Sequence, residues 1–223
     1  MFRIVLWMLC LMGSLLLAQT VQANSTPPHT PELRSTSRSK NVYSPLQFYQ
    51  VTREPALLAA LRLLPGTAGE SSLQWILQMP AHAVFKDMAT LGEGVKAFDA
   101  LSWIGPKGEH MIFINSYHQN APPEALAALL AHEGMHRDGS NSLAEETAAW
   151  TMEATVWQQL RPTSRPSAMA APVKKLKRNQ PQSLLWRLEQ LSAALNANRM
   201  EALVQQNPDY HGLSESSPGF QKN

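Results

Sequence analysis

Cysteine is nearly absent: the 223-residue chain holds one, Cys10. That excludes an intrachain disulfide and any cysteine-based zinc cluster. Charge is sparse too. Asp, Glu, Lys and Arg make up 16% of the residues, below the usual quarter or so. The 19 basic and 17 acidic residues leave a formal net charge of +2. Such a balance lacks the basic excess of a dedicated nucleic-acid binder, so no nucleic-acid partner is expected. No apolar run reaches the ~20 residues of a bilayer-spanning helix. Internal repeats and long heptad arrays are missing as well. Apolar residues are in better supply, at 44%, enough to build one ordinary core.

The first residues have the layout of an export signal. Arg3 precedes an apolar run over residues 4–18 (IVLWMLCLMGSLLLA), and Val21 and Ala23 place small residues three and one before Asn24. A basic start, a short apolar stretch and small residues before a cleavage point describe a secretory signal peptide over residues 1–23. Removing it would take away Cys10 and leave no membrane span. The expected location is therefore exported, either periplasmic or extracellular. Residues 24–40 are rich in Ser, Thr and Pro and read as a disordered leader.

The domain is expected over residues 41–205. Pro55 opens a helical stretch with Leu57, Leu58, Leu61 and Leu64 at helical spacing. Ser71 or Ser72 can cap a short helix through Trp75, Ile76 and Met79, and residues 83–85 form a brief β-like run. Residues 98–104 and 110–116 flank the turn 105–108 (GPKG) and predict a hairpin. Pro122-Pro123 then starts a helix, because proline's missing N–H is harmless in the first turn. Ser142, with Glu145 three residues on, has the capping-box pattern for a second helix running to about Leu160. Residues 161–182 read as a loop or linker, with a basic run at 174–178. Residues 183–204 read as one further amphipathic helix, and residues 206–223 as a flexible tail. The fold class expected is α+β, mostly helical.

Chemistry concentrates in residues 131–150, AHEGMHRDGSNSLAEETAAW. His132 and His136 are spaced i, i+4, which places two imidazoles on one helix face. Both can then reach a single ion. Zinc takes imidazole nitrogens, and a catalytic site keeps three protein ligands and an open position. Glu133, beside the first histidine, can reach a water there without being a ligand and act as general base. A short turn returns the chain so that Glu145-Glu146 at the start of the next helix can supply the third, anionic ligand.

This arrangement of His132-Glu133-Gly134-Met135-His136 followed by Glu145-Glu146 resembles the gluzincin zinc metallopeptidases, the thermolysin-like group. Small members place an Ala three residues after the ligand Glu. Here Ala148 follows Glu145 and Ala149 follows Glu146, so both registers fit. Glu145 shares a helix face with Ala148, Ala149, Met152 and Val156, and is preferred, with Glu146 as the alternative. The resemblance covers about residues 111–160. It implies a minimal zincin-like domain, with a small antiparallel sheet or hairpin beside the histidine helix and a second, Glu-bearing helix. It also implies Zn2+, a peptide or protein substrate, and an extended peptide pairing with a strand edge, for which residues 111–115 are the candidate. A third metzincin-type histidine is excluded, because position 142 is Ser.

Asp138 and Asn141 are candidates to orient a ligand imidazole through its second nitrogen. Tyr117, His118, His110, Tyr210 and His211 are candidates to stabilise an oxyanion. The leading expectation is an exported zinc metallopeptidase. The alternative is a metallopeptidase-like binding module without catalysis. Glu133 weighs against that alternative, since a purely structural site has no need of it.

Overall fold

The structure is a computed structural model and describes residues 43–79, 81–162, 181–217 and 220. The expected signal peptide, the leader and most of the 161–182 loop with its basic run lie outside these residues. What is described is an α+β fold in which helices surround a small three-stranded sheet. Among the described residues, no helix is long and apolar enough to cross a membrane.

Three short helices come first. Helix α1 (Pro45–Val51) begins at Ser44, whose hydroxyl accepts from Gln47 N while the Gln47 side chain accepts from Ser44 N. That capping box satisfies two donors that a helix start leaves unpaired. Helix α2 (Pro55–Leu61) starts at a proline and buries Leu57, Leu58 and Leu61. Helix α3 (Glu70–Gln78) starts at Gly69 rather than at the serines expected to cap it. A Cβ at Gly69 would stand 2.8 Å from Leu64 Cδ2 and 3.0 Å from Ala131 Cβ and Val156 Cγ2, so helix packing leaves room only for glycine there.

The sheet has the order β1-β3-β2. The expected hairpin is present: β2 (Ala100–Ile104) and β3 (His110–Asn115) run antiparallel, with Ser102 opposite Ile112. The expected small antiparallel sheet or hairpin gains a strand in β1 (Ala81–Lys86), which pairs with β3 in parallel, Ala83 opposite Ile112. This makes the sheet mixed and β3 its central strand. Both edges of residues 111–115 are thus occupied, and these residues cannot accept an added peptide strand. Among the described residues, the unpaired edge beside the histidine helix belongs to β2.

Helix α4 (Pro123–Glu133) is buried on every side from Ala125 onward. Its alanines let α2, α3, α5 and β2 close in around it. An all-round apolar helix is stable only as an interior element, and this one delivers its C-terminal end, His132 and Glu133, into the middle of the fold. Helix α5 (Leu143–Leu160) begins at Ser142, whose hydroxyl accepts from Glu145 N at 3.2 Å, as expected. The expected helix over 183–204 is two helices, α6 (Pro181–Asn196) and α7 (Met200–Gln205). The break falls at Asn198, whose φ of 52° lies in the left-handed region that Asn tolerates better than most residues.

Part of the segment expected as a flexible tail makes defined contacts among the described residues. Pro208–Tyr210 forms a short 3-10 turn. Leu143 N donates to Ser214 O at 2.9 Å and Ala144 N to Glu215 O at 3.1 Å. The chain after α7 thus satisfies donors in the first turn of α5, which a helix start otherwise leaves open.

Candidate metal centre

The helix that carries His132 ends one residue later. Gly134 is its C-cap, and Met135 N and His136 N donate to His132 O and Glu133 O at 2.9 and 3.3 Å. These bonds span three residues, so His136 sits on a tightened final turn rather than on regular α-helix. The two imidazoles still meet, with ring centroids 5.3 Å apart. Gly134 lets α3 pack against this turn: a Cβ there would come within 2.8 Å of Ser72 Cβ and 3.0 Å of Ser72 O and Ile76 Cδ1.

The carboxylate that joins the two imidazoles is Glu146. His132 Nε2 lies 3.8 Å from Glu146 Oε2, and His136 Nε2 lies 3.8 Å from Glu146 Oε1. One ligand atom from each of His132, His136 and Glu146 falls within 4.8 Å of the others, a cluster that could hold a metal ion. Glu145, the preferred third ligand on sequence grounds, turns elsewhere. Its Oε1 is 3.0 Å from His136 Nδ1, and its Oε2 accepts from Ser217 Oγ at 2.9 Å. It supports a ligand, where Glu146 would be one.

The donor set fits a divalent ion. Separations of 3.8 Å are too long for hydrogen bonds, and Glu146 Oε2 is buried without a hydrogen-bond partner. A buried carboxylate whose two oxygens each face an imidazole nitrogen at 3.8 Å is costly unless a cation sits among them. The outer nitrogen of each imidazole faces a different carboxylate: Glu153 Oε2 stands 3.2 Å from His132 Nδ1, and Glu145 Oε1 is 3.0 Å from His136 Nδ1. Carboxylates in that position fix the ring and raise its basicity as a ligand.

Behind Glu153 runs a chain of polar contacts. Arg187 of α6 donates from both terminal nitrogens to Glu153, and its Nε lies 2.8 Å from Asp99 Oδ2. Asp99 Oδ1 in turn meets His118 Nε2 at 2.8 Å. Burial by itself would raise the Glu153 carboxyl, but Arg187 and His132 overcome it and hold it below the usual range. His132 is raised to about 9: burial pulls it down, and the stronger combined pull of Glu153, Glu133 and Glu146 lifts it. Glu133 is raised by burial, against the opposing pull of the two histidines.

A cleft of about 330 Å³ opens onto the cluster. Its walls are the edge strand β2, the turn 138–141 and Tyr210, with His132, Glu133, His136 and Glu146 at the base. Asp138 lines it. Asn141 donates to Glu146 Oε1, not to an imidazole. Tyr210 accepts from Trp150 Nε1 at 3.1 Å, and burial together with the Glu146 charge keeps its phenol protonated well beyond neutral pH. His110 is buried behind β2, with Nε2 at 2.7 Å from Ser102 Oγ. Tyr117, His118 and His211 do not line the cleft.

Sequence reasoning missed Glu153, Arg187 and Ser217. Glu153 had a signal: it stands seven residues after Glu146, two turns along one face of α5. Arg187 and Ser217 are brought in from distant elements and had none. Protein-family models, curated proteins and solved structures give no match to this chain.

Proposed function

We propose that the protein is a zinc-dependent metallopeptidase of gluzincin type, acting on a peptide or protein substrate outside the cytoplasm. His132, His136 and Glu146 would hold the ion. Zinc in such a set supplies Lewis acidity toward a carbonyl and acidifies water near neutral pH. The observation that carries the reading is the combination of two imidazoles facing one buried carboxylate with a second acid, Glu133, buried beside them at the base of an open cleft.

Glu133 is suited to take a proton from water at its carboxylate and return it to the leaving amine. Its raised affinity for protons brings it toward the range a general base needs. Tyr210 retains its hydrogen, accepts from Trp150 and hydrogen-bonds the Glu146 carboxylate, so its O–H would serve a developing oxyanion only by turning away from Glu146. The edge of β2 that is unpaired among the described residues forms one wall of the cleft, and an extended peptide can add to it through main-chain hydrogen bonds. Residues 100–104 replace 111–115 in that role.

The test begins with zinc content of the purified chain beside His136→Ala and Glu133→Gln. About one zinc per chain is expected in wild type and Glu133→Gln, and none in His136→Ala. Cleavage of a peptide library is expected from wild type and not from Glu133→Gln. A chain that takes no zinc after reconstitution sinks the reading. Zinc without cleavage leaves a metallopeptidase-like binding module.

A further inference from the structure

We infer that the segment after α7 is a working part of the metal centre, with Ser217 as a positioning residue for His136. This rests on the metal reading above. The observations are geometric. Ser217 is buried, and its hydroxyl donates to Glu145 Oε2 at 2.9 Å. The other Glu145 oxygen is on His136 Nδ1 at 3.0 Å. Ser142, the N-cap of α5, lies 3.4 Å from Ser217 through its own hydroxyl. Glu145 is therefore held at both ends, by an imidazole on one side and a hydroxyl on the other.

The cap explains why this hold is needed. In a complete capping box the Glu at the third helical position reaches back to the N-cap N–H. Here that N–H goes instead to Asn141 Oδ1 at 2.7 Å. The Glu145 side chain is released from capping and must be fixed by something else; Ser217 does this. His136 needs the fixing more than His132 does, because it stands past the end of α4 on a three-residue turn.

The same segment reaches the other side of the centre. Tyr210 lines the cleft with Glu146 and is anchored by Trp150. Between Tyr210 and Ser217, the backbone is tied to α5 through Ser214 and Glu215. One stretch of chain, far from the histidines in sequence, thus supports both the third ligand and the partner of the second. Thermodynamic reciprocity follows: if docking of the segment strengthens metal binding, metal binding must strengthen docking by the same factor.

The experiment uses the full chain, stripped of metal and titrated with zinc. Ser217→Ala is expected to weaken zinc binding by roughly 10-fold, the low end of the cost of losing a partner behind a ligand, because Ser217 acts on His136 through Glu145. Ser217→Thr, which keeps the hydroxyl, is expected to restore most of it. A second measurement needs no variant of the segment: limited proteolysis of wild type, followed at residues 211–217, with and without zinc. Zinc is expected to slow cleavage there, and to have no such effect in His136→Ala. A merely structural serine would leave zinc-dependent protection intact in Ser217→Ala; loss of that protection is expected. Wild-type affinity in Ser217→Ala, or cleavage in wild type indifferent to bound zinc, overturns the inference while leaving the metal site standing. Failure of wild type to bind zinc at all overturns both.

Discussion

Glu153 Oε2 lies 3.2 Å from His132 Nδ1, at the head of a line of polar contacts that continues through Arg187 and Asp99 to His118. The carboxylate is fully buried. It would be an expensive group to enclose alone, and the guanidinium is what makes its enclosure tolerable. Arg187→Met is therefore expected to destabilise the protein by about 3 kcal/mol, the low end for breaking a buried pair because Arg187 keeps some solvent contact. Chemical denaturation of the metal-free protein checks this. Unchanged stability would mean that the pair contributes nothing.

Glu145 and Glu146 are adjacent in sequence, and their neutral variants should separate their roles. Glu146→Gln is expected to abolish zinc retention on gel filtration. Glu145→Gln is expected to keep zinc and bind it ~10–100-fold more weakly, because it loses only the partner of His136. The reverse order would return the ligand role to Glu145.

Metal binding should be coupled to pH in a defined window. In the metal-free fold His132 is raised from 6.5 to about 9. The folded chain then holds a proton that the unfolded chain releases above 6.5, so this contribution to stability is complete below 6.5 and is lost as pH rises through about 9. A zinc ion must displace the same proton. Apparent zinc affinity should rise by about one log unit per pH unit between 7 and 9, with proton release visible by calorimetry in buffers of different ionisation enthalpy. A pH-independent affinity would contradict the coupling.

Gly134 can be tested for space. A methyl group there meets Ser72 and Ile76 of α3 at 2.8–3.0 Å, one of the contacts being the Ser72 carbonyl oxygen. Gly134→Ala is expected to cost about 1–3 kcal/mol by overpacking. It should also lower zinc occupancy, since the backbone that must shift is the link between His132 and His136. A thermal melt and a zinc assay on the same sample check both halves.

Much of this architecture was legible because it is local. The GPKG turn between two β-rich runs, the proline start of α4 and the Ser142 cap all act within a few residues, and each element formed where its residues predicted. The parallel pairing of β1 with β3 joins residues about thirty apart and leaves no local trace. In the candidate site, the His132-Glu133-His136 spacing was readable because a helix repeats every turn. The assignment between Glu145 and Glu146 was not, because both satisfy the alanine spacing. Which one faces the imidazoles depends on how α4 and α5 cross and on where the first turn of α5 begins. The role of Ser217 was not readable for a related reason: a polar composition describes solvent exposure on average, whereas Ser217 is buried and bonded to a buried carboxylate.

The end of α4 at Glu133 gives the centre two sides of unequal stiffness. His132 belongs to a helix enclosed all round, and its motion is that of the core. His136 hangs from a short turn, steadied by Glu145 and a serine from the end of the chain. An ion leaving such a site would lose its grip on His136 first, while His132 and Glu146 still held it. Exchange of metal would then be governed by the loosest of the three attachments, and the rate of exchange set by residues that never touch the ion.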